Sequence, residues 1–106
     1  MFDEKSLQLL AKDIDNIIIT KHARKRLSER GIKFDDIFNV ILKGEIIEKY
    51  PNDYPFPSCL KLGLSIHNVP LHICIGLGDN KIWIITGYYP SSDEWESDLK
   101  TRKAVN

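Results

Sequence analysis

Two neighbouring stretches, SCLKLGLSIH (58–67) and PLHICIGL (70–77), alternate between large apolar residues and small or polar ones. Alternation of period two puts one set on each face of a pleated strand, and a helix cannot accommodate it. In the first, Leu60, Leu62, Leu64 and Ile66 alternate with Cys59, Lys61, Gly63, Ser65 and His67. In the second, Leu71, Ile73, Ile75 and Leu77 alternate with His72, Cys74 and Gly76. A chain patterned in this way has to build a sheet with a covered face. EIIEKY (45–50) before them and the nearly continuous apolar run KIWIITGYY (81–89) after them complete a four-strand meander. Its connections are PNDYPFP, stiffened by three prolines, and a GDN turn.

The first half has the other period. Leu7, Leu10, Ala11 and Ile14 recur at helical spacing over 3–14, behind an Asp3 cap. NIIIT (16–20) is short and β-branched and reads as a strand. Thr20 then caps a helix over 21–30 that Gly31 closes. A second amphipathic helix, 34–43, carries Phe34, Ile37, Phe38 and Ile41 on one face and ends at Gly44. After Pro90, SSDE reads as a capping box of Ser91 and Glu94, opening a short C-terminal helix with Trp95 and Leu99. Arg102 and Lys103 would complement the dipole of that helix.

The predicted fold is α+β: two to three helices packed on one face of a mostly antiparallel four- to five-stranded sheet, with a short C-terminal helix. At 106 residues the chain is expected to be a single domain, with the N-terminal helix in 1–15 and the α+β core in 16–103. The face away from the helices would carry Lys61, His72 and Cys74.

The formal net charge is zero, with 15 basic and 15 acidic residues, which argues against bulk attraction to nucleic acid. The charge is nevertheless segregated. Between Lys21 and Lys33 stand Lys21, Arg24, Lys25, Arg26, Arg30 and Lys33 against Glu29 alone, whereas 93–98 carries Asp93, Glu94, Glu96 and Asp98 without a base. The first cluster favours an anionic partner. No apolar run is long enough for a membrane span, and the acidic start MFDEKSLQLL does not read as a secretory signal, so a cytoplasmic location is expected. Cys59 and Cys74 lack metal-ligand spacing, as do His22, His67 and His72 with the acids, so neither metal nor cofactor is expected.

His22, Arg26 and Arg30 follow one another at i, i+4 and i+8 beside the buried positions Ala23 and Leu27. An imidazole there can act as a general base, with bases one and two turns along to hold a phosphate. It can equally lock the strand-to-helix corner. His72 is the second candidate, placed by the alternation near Lys61 and Gly63. Gly63, Gly76 and Gly87 would leave a shallow trough beside it, or curl the sheet through bulges. Tyr50, Tyr54, Tyr88, Tyr89 and Trp83 offer surfaces on which bases stack. Arg24 and Lys61 join Arg30 as candidate substrate-binding cations.

The series ITKHARKRLSERGI, DDIFNVILKGEIIEKY, LKLG, PLHICIGL and IWIITGYYPSSDEW, spread over 17–103, resembles the bacterial family catalogued as domain of unknown function 4258. That family is similar in layout to the RelE/ParE-like toxin fold, many members of which cut RNA without a metal. The resemblance implies His22 and Arg26 as site residues, with Arg30 beside them. It adds His72 and Tyr88 through the PLH and IT.Y motifs. Two functions are therefore carried forward. One is a metal-independent endoribonuclease of a toxin–antitoxin module, with RNA as substrate and an antitoxin as partner. The other is a non-catalytic domain that binds a protein or RNA. The N-terminal helix lies outside the resemblance and would either cover an active face or serve a dimer.

Overall fold

The computed structural model describes residues 3–104. Three helices, α1 (Glu4–Ala11), α2 (Lys21–Glu29) and α3 (Phe34–Lys43), accompany five strands. The strands are β1 (Ile17–Ile19), β2 (Glu45–Tyr50), β3 (Ser58–Leu64), β4 (Pro70–Gly78) and β5 (Lys81–Tyr88). They form one sheet in the order β1-β5-β4-β3-β2. The meander β2 to β5 is antiparallel throughout, and β1 adds to β5 in parallel. The architecture is α+β, with the helix layer on one face.

Local chemistry sets the helix ends. The Asp3 carboxylate accepts from the Ser6 N–H at 2.7 Å, and Thr20 Oγ1 accepts from Ala23 at 3.2 Å. Gly31 (φ 71°) turns the chain out of α2, and the Ile32 N–H bonds back to the Leu27 carbonyl at 2.9 Å. Leu7, Ala11, Ala23, Leu27, Ile37, Val40 and Ile41 meet Leu71, Ile73, Ile75, Ile82 and Ile84 in the core. The N-terminal helix thus belongs to the helix layer and leaves the opposite face of the sheet free of helices.

The strand faces correct the sequence reading. Gly63 faces α3, since a Cβ there would stand 3.0 Å from Val40 Cγ2. Lys61 shares that face, and its Nζ donates to the Ile41 carbonyl at 2.8 Å and to Glu4 Oε2 at 2.9 Å. Cys59, Lys61 and Gly63 are therefore the inward set, and Leu60, Leu62 and Leu64 point away from the helices. His72 pairs with Leu62 and so lies on the helix-free face, opposite to Lys61. Helix α3 approaches β3 so closely that glycine and an extended lysine stem fit where leucine would not. β3 also ends at Leu64, three residues early, where Ser65 Oγ takes the N–H groups of His67 and Val69 and Asn68 turns at φ 64°.

The expected C-terminal helix is not found among the described residues. Ser91 does open a turn, its carbonyl accepting from Glu94 and Trp95. The turn then stops, because the Glu96 N–H goes forward to the Thr101 carbonyl at 2.8 Å. Leu99 adopts φ 60°, and Asp98 takes the N–H groups of Lys100 and Thr101. The segment folds on itself through a Trp95–Arg102 bridge. It crosses the helix-free face as a strap from the end of β5 towards β2, where Lys100 meets Glu45 at 2.9 Å.

Candidate functional site

Two groups of side chains occupy the helix-free side of the molecule. The first begins at the N-terminus of α2. His22 is exposed and borders a trough of about 510 Å³ that also involves Thr20, Tyr54, Phe56, Trp83 and Ile85. The Phe56 and Trp83 rings lie 5.5 Å apart at 31° and make its floor. Gly78 is what admits Phe56: a Cβ on that residue would fall 2.1 Å from the ring. Tyr54 stands 90% exposed beside it.

The basic stripe runs from this trough along β5. Arg26 is exposed one turn beyond His22 and forms no ion pair or side-chain hydrogen bond with any described residue. Arg30, a further turn on, donates to the Gly87 carbonyl at 2.7 Å. β1 covers β5 only as far as Ile84, so Arg30 closes a carbonyl that β1 does not reach. Arg24 departs from the stripe. It lines a separate groove with Ile17, Lys33 and Phe34, between α2, α3 and β1.

The second group lies under the strap. His72 is 0% exposed. Its Nε2 stands 2.8 Å from the Leu99 carbonyl, which can only accept, so Nε2 carries the proton. Nδ1 is then the acceptor for the Tyr88 hydroxyl at 3.3 Å. The imidazole is held edge-on to Trp95 at 4.5 Å. Burial pulls the His72 pKa below its ordinary value, although the Leu99 bond and the nearby Glu48 charge oppose the shift. Burial likewise raises Tyr88. On the outer side, Arg102 lies 4.5 Å over the Trp95 ring and pairs with Glu48, which also accepts from the Tyr50 hydroxyl. Burial alone would raise the Glu48 carboxyl, but the bonds from Arg102 and Tyr50 hold it below the usual carboxylate value.

The structure thus separates the sequence candidates. His22 and Arg26 are accessible and adjacent. His72 and Tyr88 bond to each other, with both His72 nitrogens occupied. Trp83 pairs with Gly76 and Tyr88 with His72, four residues apart on β4, or roughly 13 Å at the rise of a strand. A single phosphate cannot be served by His22 and His72 together. Lys61 is on the other side of the sheet and is bonded to Glu4, and Arg24 faces another groove. Of the three glycines expected to leave a trough, only Gly76 borders it. Gly63 and Gly87 pack against Val40 and Leu27.

Sequence reasoning missed Glu48 and Phe56, and it gave Arg102 no role beyond a helix dipole. EIIEKY carries no catalytic spacing, and Arg102 finds Glu48 only through the strap. Phe56, between two prolines next to Tyr54, was the readable signal. Among the described residues no group of His, Cys, Asp and Glu has an arrangement that would hold a metal ion. No helix among them is long and apolar enough to cross a membrane.

The family model described as Domain of unknown function (DUF4258) matches residues 19–89, from the end of β1 to the residue after β5. The match takes in α2, α3 and the whole meander, and it stops where the strap begins. No curated protein and no solved structure matches the chain.

Proposed function

The chain belongs to the DUF4258 family, and we propose that it acts on RNA as a metal-independent endoribonuclease of the toxin type. One observation carries the reading: the accessible imidazole of His22 lies at the mouth of an aromatic trough, in line with Arg26, a cation that pairs with none of the described residues. In this reaction a ribose 2′-hydroxyl loses its proton to His22 as its oxygen bonds to the neighbouring phosphorus. The bond from phosphorus to the 5′ oxygen breaks, and that oxygen takes a proton from the imidazolium. The products are a 2′,3′-cyclic phosphate and a 5′-hydroxyl end. Arg26 faces the charge that grows on the phosphoryl oxygens. Acid–base help of this kind supplies about 10²–10⁴-fold, so the guanidinium carries a comparable share. Tyr88 and His72, bonded to each other, hold the strap against the sheet, and Arg30 fixes the edge of β5 beside the RNA path.

Cleavage of an end-labelled RNA by the purified protein, with and without EDTA and beside a folded His22→Ala control, tests this. Cutting that survives EDTA and is absent from the control is the expected result. Cutting that persists in the control removes His22 from the reaction. In a toxin–antitoxin setting the cytoplasmic partner would be a small antitoxin protein. The second reading, a non-catalytic binding domain, is favoured by a different observation. His72, Lys61 and Arg30 are all held in internal bonds, which leaves a surface better equipped to bind than to react. Absence of cutting over a range of RNAs would establish that reading's advantage.

A further inference from the structure

We infer that the trough between α2 and the loop 51–57 is a subsite for unpaired RNA bases, one that accepts them with little regard to sequence. The inference rests on the RNA reading above and names where the substrate's bases sit. The floor is aromatic: the half-buried Phe56 and Trp83 form a tilted pair, and Tyr54 and Ile85 remain exposed beside them. An aromatic face can stack on any base, whereas selection needs donors and acceptors at the base edge. The trough has few of these. Trp83 Nε1 already donates to the Gly78 carbonyl at 3.0 Å, and Thr20 Oγ1 accepts the Ala23 N–H. His22 and the exposed Tyr54 hydroxyl are left as the polar groups facing a ligand.

Charge indicates the rest of the ligand. Among the described residues no acidic side chain lines the trough, and Lys21, Lys25 and Arg26 are exposed on the adjoining helix. A flat apolar slot bordered by cations complements a base attached to a phosphate backbone. Its volume, about 510 Å³, falls within the roughly 300–1,000 Å³ of ordinary small-ligand clefts. A duplex hides its bases' faces in its own stack, so single strands are the form that fits.

The test is binding of a short fluorescein-labelled 2′-O-methyl oligonucleotide, which cannot be cut because its 2′ oxygen is blocked. Wild-type protein is expected to bind it with quenching of Trp83 emission. Oligoadenylate and oligouridylate should bind comparably, and duplex RNA should compete poorly. Trp83→Leu and Phe56→Leu, checked for wild-type circular dichroism, should each bind roughly fivefold to a hundredfold more weakly. If either fails to fold, Tyr54→Ala carries the same test, because its ring is exposed. No binding by wild-type protein overturns the inference, as do undiminished binding by the folded variants, strong base selectivity or a preference for duplex. Variant-sensitive binding without cleavage of ordinary RNA leaves the subsite standing and removes the ribonuclease. Cleavage indifferent to the trough variants does the reverse.

Discussion

Arg102 closes on Glu48 through two bonds, Nε to Oε2 at 2.9 Å and Nη2 to Oε1 at 3.0 Å, and so joins the last described segment to the far edge of the sheet. The same guanidinium covers Trp95, whose ring supports His72 from the other side. The strap is therefore held by a stack of aromatic and charged groups, without regular secondary structure.

Arg102→Ala should loosen that stack. Arg102 is 56% exposed, so the ion pair is worth at most about 1 kcal/mol, and the contact with Trp95 adds about 0.5–1 kcal/mol. A loss of about 1–2 kcal/mol in urea unfolding is expected, with a red shift of Trp95 emission before the global transition. An unchanged emission maximum would show that the strap holds without Arg102.

Acid should weaken the fold in two stages. His72 is held below its ordinary 6.5 by burial, so the unfolded chain binds a proton that the folded chain excludes. The stability linked to it is complete above pH 6.5 and declines as pH falls below that value. Glu48 is held below 4.5; its contribution is intact above pH 4.5 and disappears as pH falls through the folded value. Urea midpoints on either side of pH 6.5 should differ in the wild type and converge in a folded His72→Gln variant. Equal pH dependence in the two proteins would place the proton elsewhere.

Lys61 provides the clearest asymmetry. Glu4→Gln retains the acceptor for the Ile46 N–H but removes the charge facing a lysine that is 0% exposed. Removing one partner of a fully buried pair costs about 3–5 kcal/mol, and the loss here should fall below that range because Glu4 is 40% exposed and Lys61 keeps the Ile41 carbonyl. Lys61→Met should be the milder change, since a similar stem fills the space and the charge is gone. Chemical denaturation of both variants checks the order, and a less stable Lys61→Met would contradict it.

For nucleic-acid binding, Arg26→Gln should weaken association with unrelated single strands about equally. It should also reduce the slope of log K against log salt by about 0.7, the share of one phosphate contact on a single strand. Titration by fluorescence anisotropy at several salt concentrations reads both quantities. An unchanged slope would show that Arg26 meets no phosphate.

The meander, the caps at Asp3 and Thr20, the Gly31 turn and the α+β layering were legible because each rests on local pattern. The direction of β3 was not. Leu60, Leu62 and Leu64 look like a core face, yet tight packing of α3 gives that place to Cys59, Lys61 and Gly63. Which face of an alternating strand is buried depends on its neighbours' size, and these lie twenty or more residues away. SSDE likewise opens a turn but cannot impose a helix against the Asp98 side chain and the Thr101 carbonyl further along. At the site, the His22–Arg26 spacing was readable from helical geometry. The engagement of His72 with Leu99 and of Glu48 with Arg102 was not, because only the strap brings them together.

The register of β5 has a consequence for everything beyond its midpoint. Ile84 pairs with Ile75 and Thr86 with Cys74, leaving Ile85 as a supernumerary residue. Counted by strict alternation from Ile82 and Ile84, Tyr88 would face the helices and Gly87 would face away. The extra residue reverses that parity: it turns Tyr88 to His72 and sends Gly87 to the tight place beside Leu27. One strand thereby runs in two frames, one dictated by the core and one by the surface, with Ile85 as the phase shift between them. Deleting a single residue there would exchange the roles of the last two positions, although every side chain involved would still be present.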